Sequence, residues 1–286
     1  MRSGRTGAVA ALVGALALSA LTAPTARAAD TGIEVSRIVI NGGKPLVVGA
    51  MMKEEPAVTF RITLPPGYTT EDPFAYDGEP FLYRGSTPAR GYDEDGLRMG
   101  LYTCYETARR IADCEGTLSF DHFQYRLRSN SDATTWKIGV MKRLWKDSGG
   151  LLAEEYRDTS ARVQVKRYAK ATVDAGPEPV KKGKPITVTG SLKRADWVKH
   201  TYTGVADAAV RLQFRPKGTT SYSTVKTVRS SSTGALKATV TATLDGDWRW
   251  NFAGWSTTGG AVSSGDYVDV SGAGGIVRKM SAHRSR

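Results

Sequence analysis

The 286-residue chain predicts an all-β protein: two immunoglobulin-like antiparallel β-sandwiches in tandem, the first with a disulfide-stapled insertion. Alternating apolar and polar residues replace helical spacing over most of the chain, and turn signals recur at close intervals. A third observation is repetition. "GKPLVVG" at Gly43 to Gly49 returns as "GKPITVTG" at Gly183 to Gly190, "TWKIGV" around Trp136 as "DWRWNF" around Trp248, and "ARVQV" ending at Val165 as "DYVDV" ending at Val270. The ordered set marks two copies of one supersecondary plan.

The chain opens with "MRSGRTGAVAALVGALALSALTAPTARAAD". Arg2 and Arg5 precede an apolar run, Pro24 breaks it, and Ala26 and Ala28 stand where a signal peptidase reads small residues. Residues 1–28 are therefore predicted to be a signal peptide and the mature protein to be secreted. The apolar core is too short for a membrane span, and no later stretch is long enough to supply one.

In an oxidising compartment Cys104 and Cys114, the two cysteines of the chain, predict a disulfide. A metal site needs more ligands, and His122, His200 and His283 are not at ligand spacing. A redox pair is normally C-x-x-C. Closing so short a loop is worth roughly 3 kcal/mol.

Residues 29–170 are predicted to form the first sandwich, 171–270 a basic second one, and 271–286 a disordered basic tail. In the second, Ile186, Val188 and Leu192 share one strand face, as do Val210, Leu212 and Phe214, with Arg211, Gln213 and Arg215 opposite. Leu236, Ala238, Val240 and Ala242 alternate up to Asp245-Gly246, which predicts a two-residue hairpin turn. Trp248, Trp250 and Phe252 return on one face as core. The first copy adds residues 69–116, where "ETARRIAD" predicts a short helix. "AKATVDAGPEPVKKGKP" between the copies reads as a linker or an opening edge strand.

The runs "GPEPVKKGKPITVTGSLKRADW", "VRLQFRPKGTTSYSTVKTV" and "LDGDWRWNFAGW" resemble secreted actinomycete proteins built of tandem immunoglobulin-like domains. The likeness covers the second domain well and the first loosely. Some of these proteins are labelled calcium-binding, so the resemblance implies that calcium is a possible ligand.

No catalytic motif is found. There is no G-x-S-x-G elbow and no H-E-x-x-H, and adjacent Glu154 and Glu155 point to opposite strand faces. A hydrolase would need carboxylates to converge near Asp93 and Asp95. The acidic loop "YDEDG" offers Asp93, Glu94 and Asp95 as calcium candidates, although its spacing is not that of an EF-hand. Charge is the stronger signal. Residues 29–170 hold twenty Lys and Arg against twenty Asp and Glu, whereas residues 171–286 hold seventeen against eight, a net of +9.

That asymmetry favours an anionic partner. Lys181, Lys182, Lys184, Lys193, Arg194, Arg278 and Lys279 are the candidate contacts. Cell-wall anionic polymer or a surface protein is the expected partner; no nucleic-acid-binding module is recognisable. Trp197 and Trp255 are the candidates for a carbohydrate-stacking platform. The sequence thus predicts a non-enzymatic binding or adhesion protein at the cell envelope, with a carbohydrate-binding module or a calcium-binding secreted protein as alternatives. Oligomeric state is not legible.

Overall fold

The structure, a computed structural model, describes residues 30–52, 54–120 and 127–272. The expected signal peptide, the basic tail with Arg278 and Lys279, and His122 and His283 lie outside them.

Eight strands build the first sandwich: β1 (Glu34–Ile40), β2 (Leu46–Val48), β3 (Ala57–Thr63), β4 (Tyr76–Tyr83), β5 (Met99–Ala108), β6 (Ile111–Leu118), β7 (Thr135–Trp145) and β8 (Leu151–Arg167). One sheet has the order β1-β3-β6-β5, the other β2-β8-β7-β4. Their inner faces enclose Val58, Phe60, Ile62, Leu118, Trp136 and Val165. The outer face of β4 and β7 is apolar as well, because α1 (Pro88–Glu94) covers it. Phe81, Tyr83, Tyr92 and Met141 form a second, smaller core there. Gly91 makes the close approach possible: a Cβ at that position would stand 2.6 Å from Tyr83.

The second sandwich is formed by β9 (Ala169–Gly176), β10 (Val180–Lys181), β11 (Pro185–Asp196), β12 (Thr201–Gly204), β13 (Ala209–Pro216), β14 (Ser223–Arg229), β15 (Ala235–Thr241), β16 (Gly246–Phe252), β17 (Ala261–Val262), β18 (Asp266–Val268) and β19 (Val270–Ser271). β11 pairs with β9, β12 and β15 in one sheet; β13 and β16 centre the other, flanked by β14, β17 and β18. Val188, Leu192, Val210, Leu212, Trp248, Trp250 and Phe252 fill the space between. The tryptophan strand is core, as its alternation predicts.

Two of the three repeats occupy equivalent places. The strands holding Trp136 and Trp248 each lie inside a sheet. Val165 and Val270 each pair in parallel with an entering strand, at Leu46 and Val180. The first repeat is out of step: Gly43 leads into β2, whose counterpart by pairing is β10, whereas Gly183 leads into β11.

Two local expectations change, and one open alternative closes. The stapled stretch folds into the β5–β6 hairpin and not a short helix, with Cys104 directly opposite Cys114 and bonded to it. Cross-strand pairing and the staple override the helical propensity of Ala and Arg. Asp245-Gly246 is not a hairpin turn: β15 pairs with β11 and β16 with β13, so this link crosses between the two sheets. Gly246 is required instead by close packing, since its Cβ would fall 2.2 Å from the Arg215 carbonyl oxygen. Finally, the stretch between the copies is an edge strand. β9 pairs with β11 from Ala169↔Arg194 to Gly176↔Thr187, and a single residue, Tyr168, separates it from β8.

The sandwiches share a joint. Trp197, at the end of β11, packs into the first core and donates its indole N–H to the carbonyls of Val48 (3.3 Å) and Gly49 (3.1 Å). Asn130 bonds both the Asp196 carboxylate and the Trp197 N–H, each at 3.0 Å. On the other side, Arg167 exchanges backbone bonds with Thr257 and Gly259, and Gln164 donates to the Ser256 carbonyl.

Candidate functional site

The predicted cations do not form one patch. Lys181, Lys182 and Lys184 are exposed in a single turn before β11, closed by the Lys184 N–H on the Lys181 carbonyl. Lys193 lies nine residues beyond Lys184, roughly 30 Å along an extended strand. Arg194 is at the joint and is partly used there: it donates to Thr258 Oγ1 at 3.2 Å, and its guanidinium stands 5.9 Å from the Trp255 ring. Burial lowers its pKa, partly offset by Asp196. Arg167 beside it is 6% exposed, and its Nε has no partner. Burial, then the charge of Arg194, pushes the Arg167 pKa down to about 10 against the pull of Asp196.

The turn bearing the three lysines has company at the end of the sandwich away from the joint. Lys182 donates its backbone N–H to Ser271, Gly183 to Ala242, and Lys217 to Asp245. The Lys217 side chain stands 3.7 Å from Asp245 and 5.8 Å from the Tyr267 ring, and Tyr267 raises its pKa. The lysine turn and Lys217 therefore lie at the same end of the sandwich as Ser271, near the last of the described residues.

A basic face that charge counting does not single out lies on the outside of the β14–β13–β16 sheet. Strand alternation turns Arg211, Gln213 and Arg215 outward on β13, and Asp247, Arg249 and Asn251 outward on β16. Register sets Arg211 opposite Asn251, Gln213 opposite Arg249 and Arg215 opposite Asp247. The Gln213 side-chain oxygen accepts from Arg249 Nε (2.9 Å) and Asn251 Nδ2 (3.2 Å), and Arg215 pairs with Asp247 at 2.8 Å. Tyr222 lies across the face, its ring 3.7 Å from the Arg249 guanidinium and 4.9 Å from that of Arg215. The outward alternation of Arg211, Gln213 and Arg215 is legible in the sequence; the arrival of Arg249 and Tyr222 beside them is not.

The two tryptophans proposed as a platform are separated in role. Trp197 is 1% exposed and fills the joint, so it offers no face to a sugar. It reads as a loop residue because it follows a polar strand end, but the apolar surface that buries it belongs to the other sandwich. Trp255 is 40% exposed, with its ring edge-on to Phe252 at 5.2 Å.

The calcium candidates are not brought together. Asp93 and Glu94 belong to α1 and are exposed, Glu94 pairs with Arg90 at 2.8 Å, and Asp95 caps the helix end. A helix fans consecutive carboxylates apart by about 100° each. Among the described residues no three His, Cys, Asp or Glu side chains converge as a metal site. The same dispersal leaves Asp93 and Asp95 without the convergent carboxylates a hydrolase would need.

The most perturbed carboxyl is elsewhere, under α1. Glu79 is 8% exposed and accepts a 2.7 Å hydrogen bond from the Tyr92 hydroxyl. Burial pushes its pKa up to about 7; the Tyr92 bond and the charges of Arg98 and Arg143 oppose this, while Asp77 adds to it. Glu154 and Glu155 do face opposite ways. Glu154 pairs with Arg143 on the outer face, whereas buried Glu155 takes Lys142 at 2.7 Å, Arg157, and the Thr31 backbone N–H. Burial would raise the Glu155 pKa, but those bonds overrule it and hold it at about 2.

No helix among the described residues is long and apolar enough to cross a membrane. No protein-family model matches the chain, and no curated protein matches it in sequence. Among solved structures, a marsupial T cell receptor aligns at 10% identity over 83% of this chain and 73% of that one, with a TM-score of 0.35. The full Ig1–Ig3 ectodomain of mouse nectin-like molecule 4 aligns at 12% identity over 84% and 65%, with a TM-score of 0.24. The D00–D0 domain of intimin aligns at 9% identity over 82% and 98%, with a TM-score of 0.25. Scores this low add nothing to what the strand pairing establishes about the fold.

Proposed function

We propose that the chain is a secreted, non-enzymatic binding protein that acts at the cell envelope, its second sandwich attaching it to anionic polymer. The observation that carries this reading is the end of that sandwich opposite the joint. Lys181, Lys182 and Lys184 stand exposed in one turn, with Lys217 near them, where a segment holding Arg278, Lys279, Arg284 and Arg286 begins. Residues 171–270 alone hold thirteen Lys and Arg against eight Asp and Glu, a net of +5, while the first sandwich is neutral. Exposed charges of this kind attract a polyanion and are screened within about 8 Å at physiological ionic strength. The joint would then present the first sandwich to a surface partner.

The test is co-sedimentation of the mature chain with purified bacterial cell walls across a salt series. Binding is expected to fall as salt rises and to weaken in a Lys181→Ala/Lys182→Ala/Lys184→Ala variant. Failure to sediment with walls at low salt refutes the reading.

A further inference from the structure

Resting on the anionic-polymer reading, we infer that recognition resides on the outer face of the β14–β13–β16 sheet, through Arg249, Arg211 and Arg215, and that the ligand is a polymer carrying repeated phosphate groups. The lysine turn supplies attraction; this face supplies geometry.

Arg249 is already oriented. Its Nε is held by Gln213 and its guanidinium plane by Tyr222, which leaves both terminal nitrogens without a protein partner among the described residues. A fork fixed in this way loses little freedom on binding and suits an oxyanion. The Tyr222 hydroxyl packs close over Gly265, where a Cβ would come within 2.7 Å of it. Arg211 is exposed and has no ion pair among the described residues. It lies diagonally across from Arg249 in the register, so the two Cα atoms are about 7–8 Å apart. Arg215, braced by Asp247, lies on the other diagonal, and the three arginines form a bent row along the strands.

The chemistry of the row favours phosphate. A carboxylate presents two coplanar oxygens, which match a single arginine fork side by side. A phosphate spreads its oxygens tetrahedrally, so one group accepts from Arg249 and Arg211 together and the next along the chain reaches Arg215. Asn251 and Thr224 beside the row offer neutral donors and acceptors to the links between phosphates.

The experiment measures binding of the full mature chain to immobilised linear polyphosphate at physiological salt, with soluble poly-glutamate as competitor. Arg249→Lys keeps the charge but removes the fork, and is expected to weaken binding about tenfold. Arg211→Ala, at an exposed position, tests the row without disturbing Tyr222 and is expected to weaken binding severalfold. An unchanged melting temperature shows that each variant is folded. The triple lysine variant should flatten the salt dependence while leaving the Arg249→Lys effect in place.

Wild-type affinity in both arginine variants overturns the site, and equal competition by poly-glutamate overturns the phosphate assignment. If the wild-type chain binds walls in a salt-sensitive way while Arg249→Lys changes nothing, this inference fails and the anionic-polymer reading stands. If the wild-type chain does not bind walls at all, the parent reading fails first.

Discussion

Trp197→Ala should uncouple the two sandwiches. The side chain grows from the end of β11 in the second sandwich, but its buried surroundings are the core of the first. Removing a fully buried tryptophan costs about 3–5 kcal/mol, from lost transfer energy and the cavity left behind. The shared N–H bond to Val48 and Gly49 adds about 1 kcal/mol, and the two carbonyls then compete for water in a confined space. A loss of about 5 kcal/mol is a large share of the stability of a domain this size. At about 2–4 °C per kcal/mol it lowers the melting temperature by roughly 10–20 °C.

Where that energy resides makes the prediction specific. Scanning calorimetry of the wild-type chain should give one transition, because unfolding either sandwich tears out the shared indole. The variant should give two, the lower one belonging to the sandwich that lost its plug. Trp255→Ala is the control: its ring is partly exposed at the same joint, and the change should stay near 1 kcal/mol. A Trp197→Ala variant that melts in one transition within about 2 °C of wild type would refute the idea that this residue couples the two cores.

Further expectations follow from two buried ionisable groups, Glu79 and Arg167. Glu79 in the folded state holds its proton up to about pH 7, whereas an unfolded glutamate releases it near 4.5. Folded stability is therefore undiminished below pH 4.5, declines as pH rises from 4.5 to 7, and stays lower above that by roughly 3 kcal/mol from this group. Glu79→Gln should flatten that decline in urea titrations and stabilise the protein at pH 8; a variant weaker than wild type at pH 8 refutes the assignment. Arg167→Met should raise the urea midpoint at pH 7 by the equivalent of about 1–3 kcal/mol, because it removes a buried charge with an unpartnered Nε. A lower midpoint would mean that the guanidinium holds the joint together.

Much of the architecture was legible in the sequence because strand alternation is local. Ile186 and Val188, Val210 and Leu212, and Trp248 and Trp250 announce their inward faces by period two, and each faces a core. Alternation fails at Phe81, Leu82 and Tyr83, where α1 buries the outer face as well. Propensity misleads at "ETARRIAD", because its few residues form no stable helix alone and cross-strand pairing decides.

The candidate site divides in the same way. The sequence by itself determined the net charge of the second sandwich, the pairing of Cys104 with Cys114, and the outward turn of Arg211, Gln213 and Arg215. Each follows from counting, from compartment or from a two-residue period. Only the tertiary structure decided that Arg249 joins those residues from another strand, that Lys184 and Lys193 lie at opposite ends of β11, and that Trp197 fills a neighbouring core. These depend on register between strands far apart in the chain and on the surface of a second domain. Neither is written in the residues that flank them.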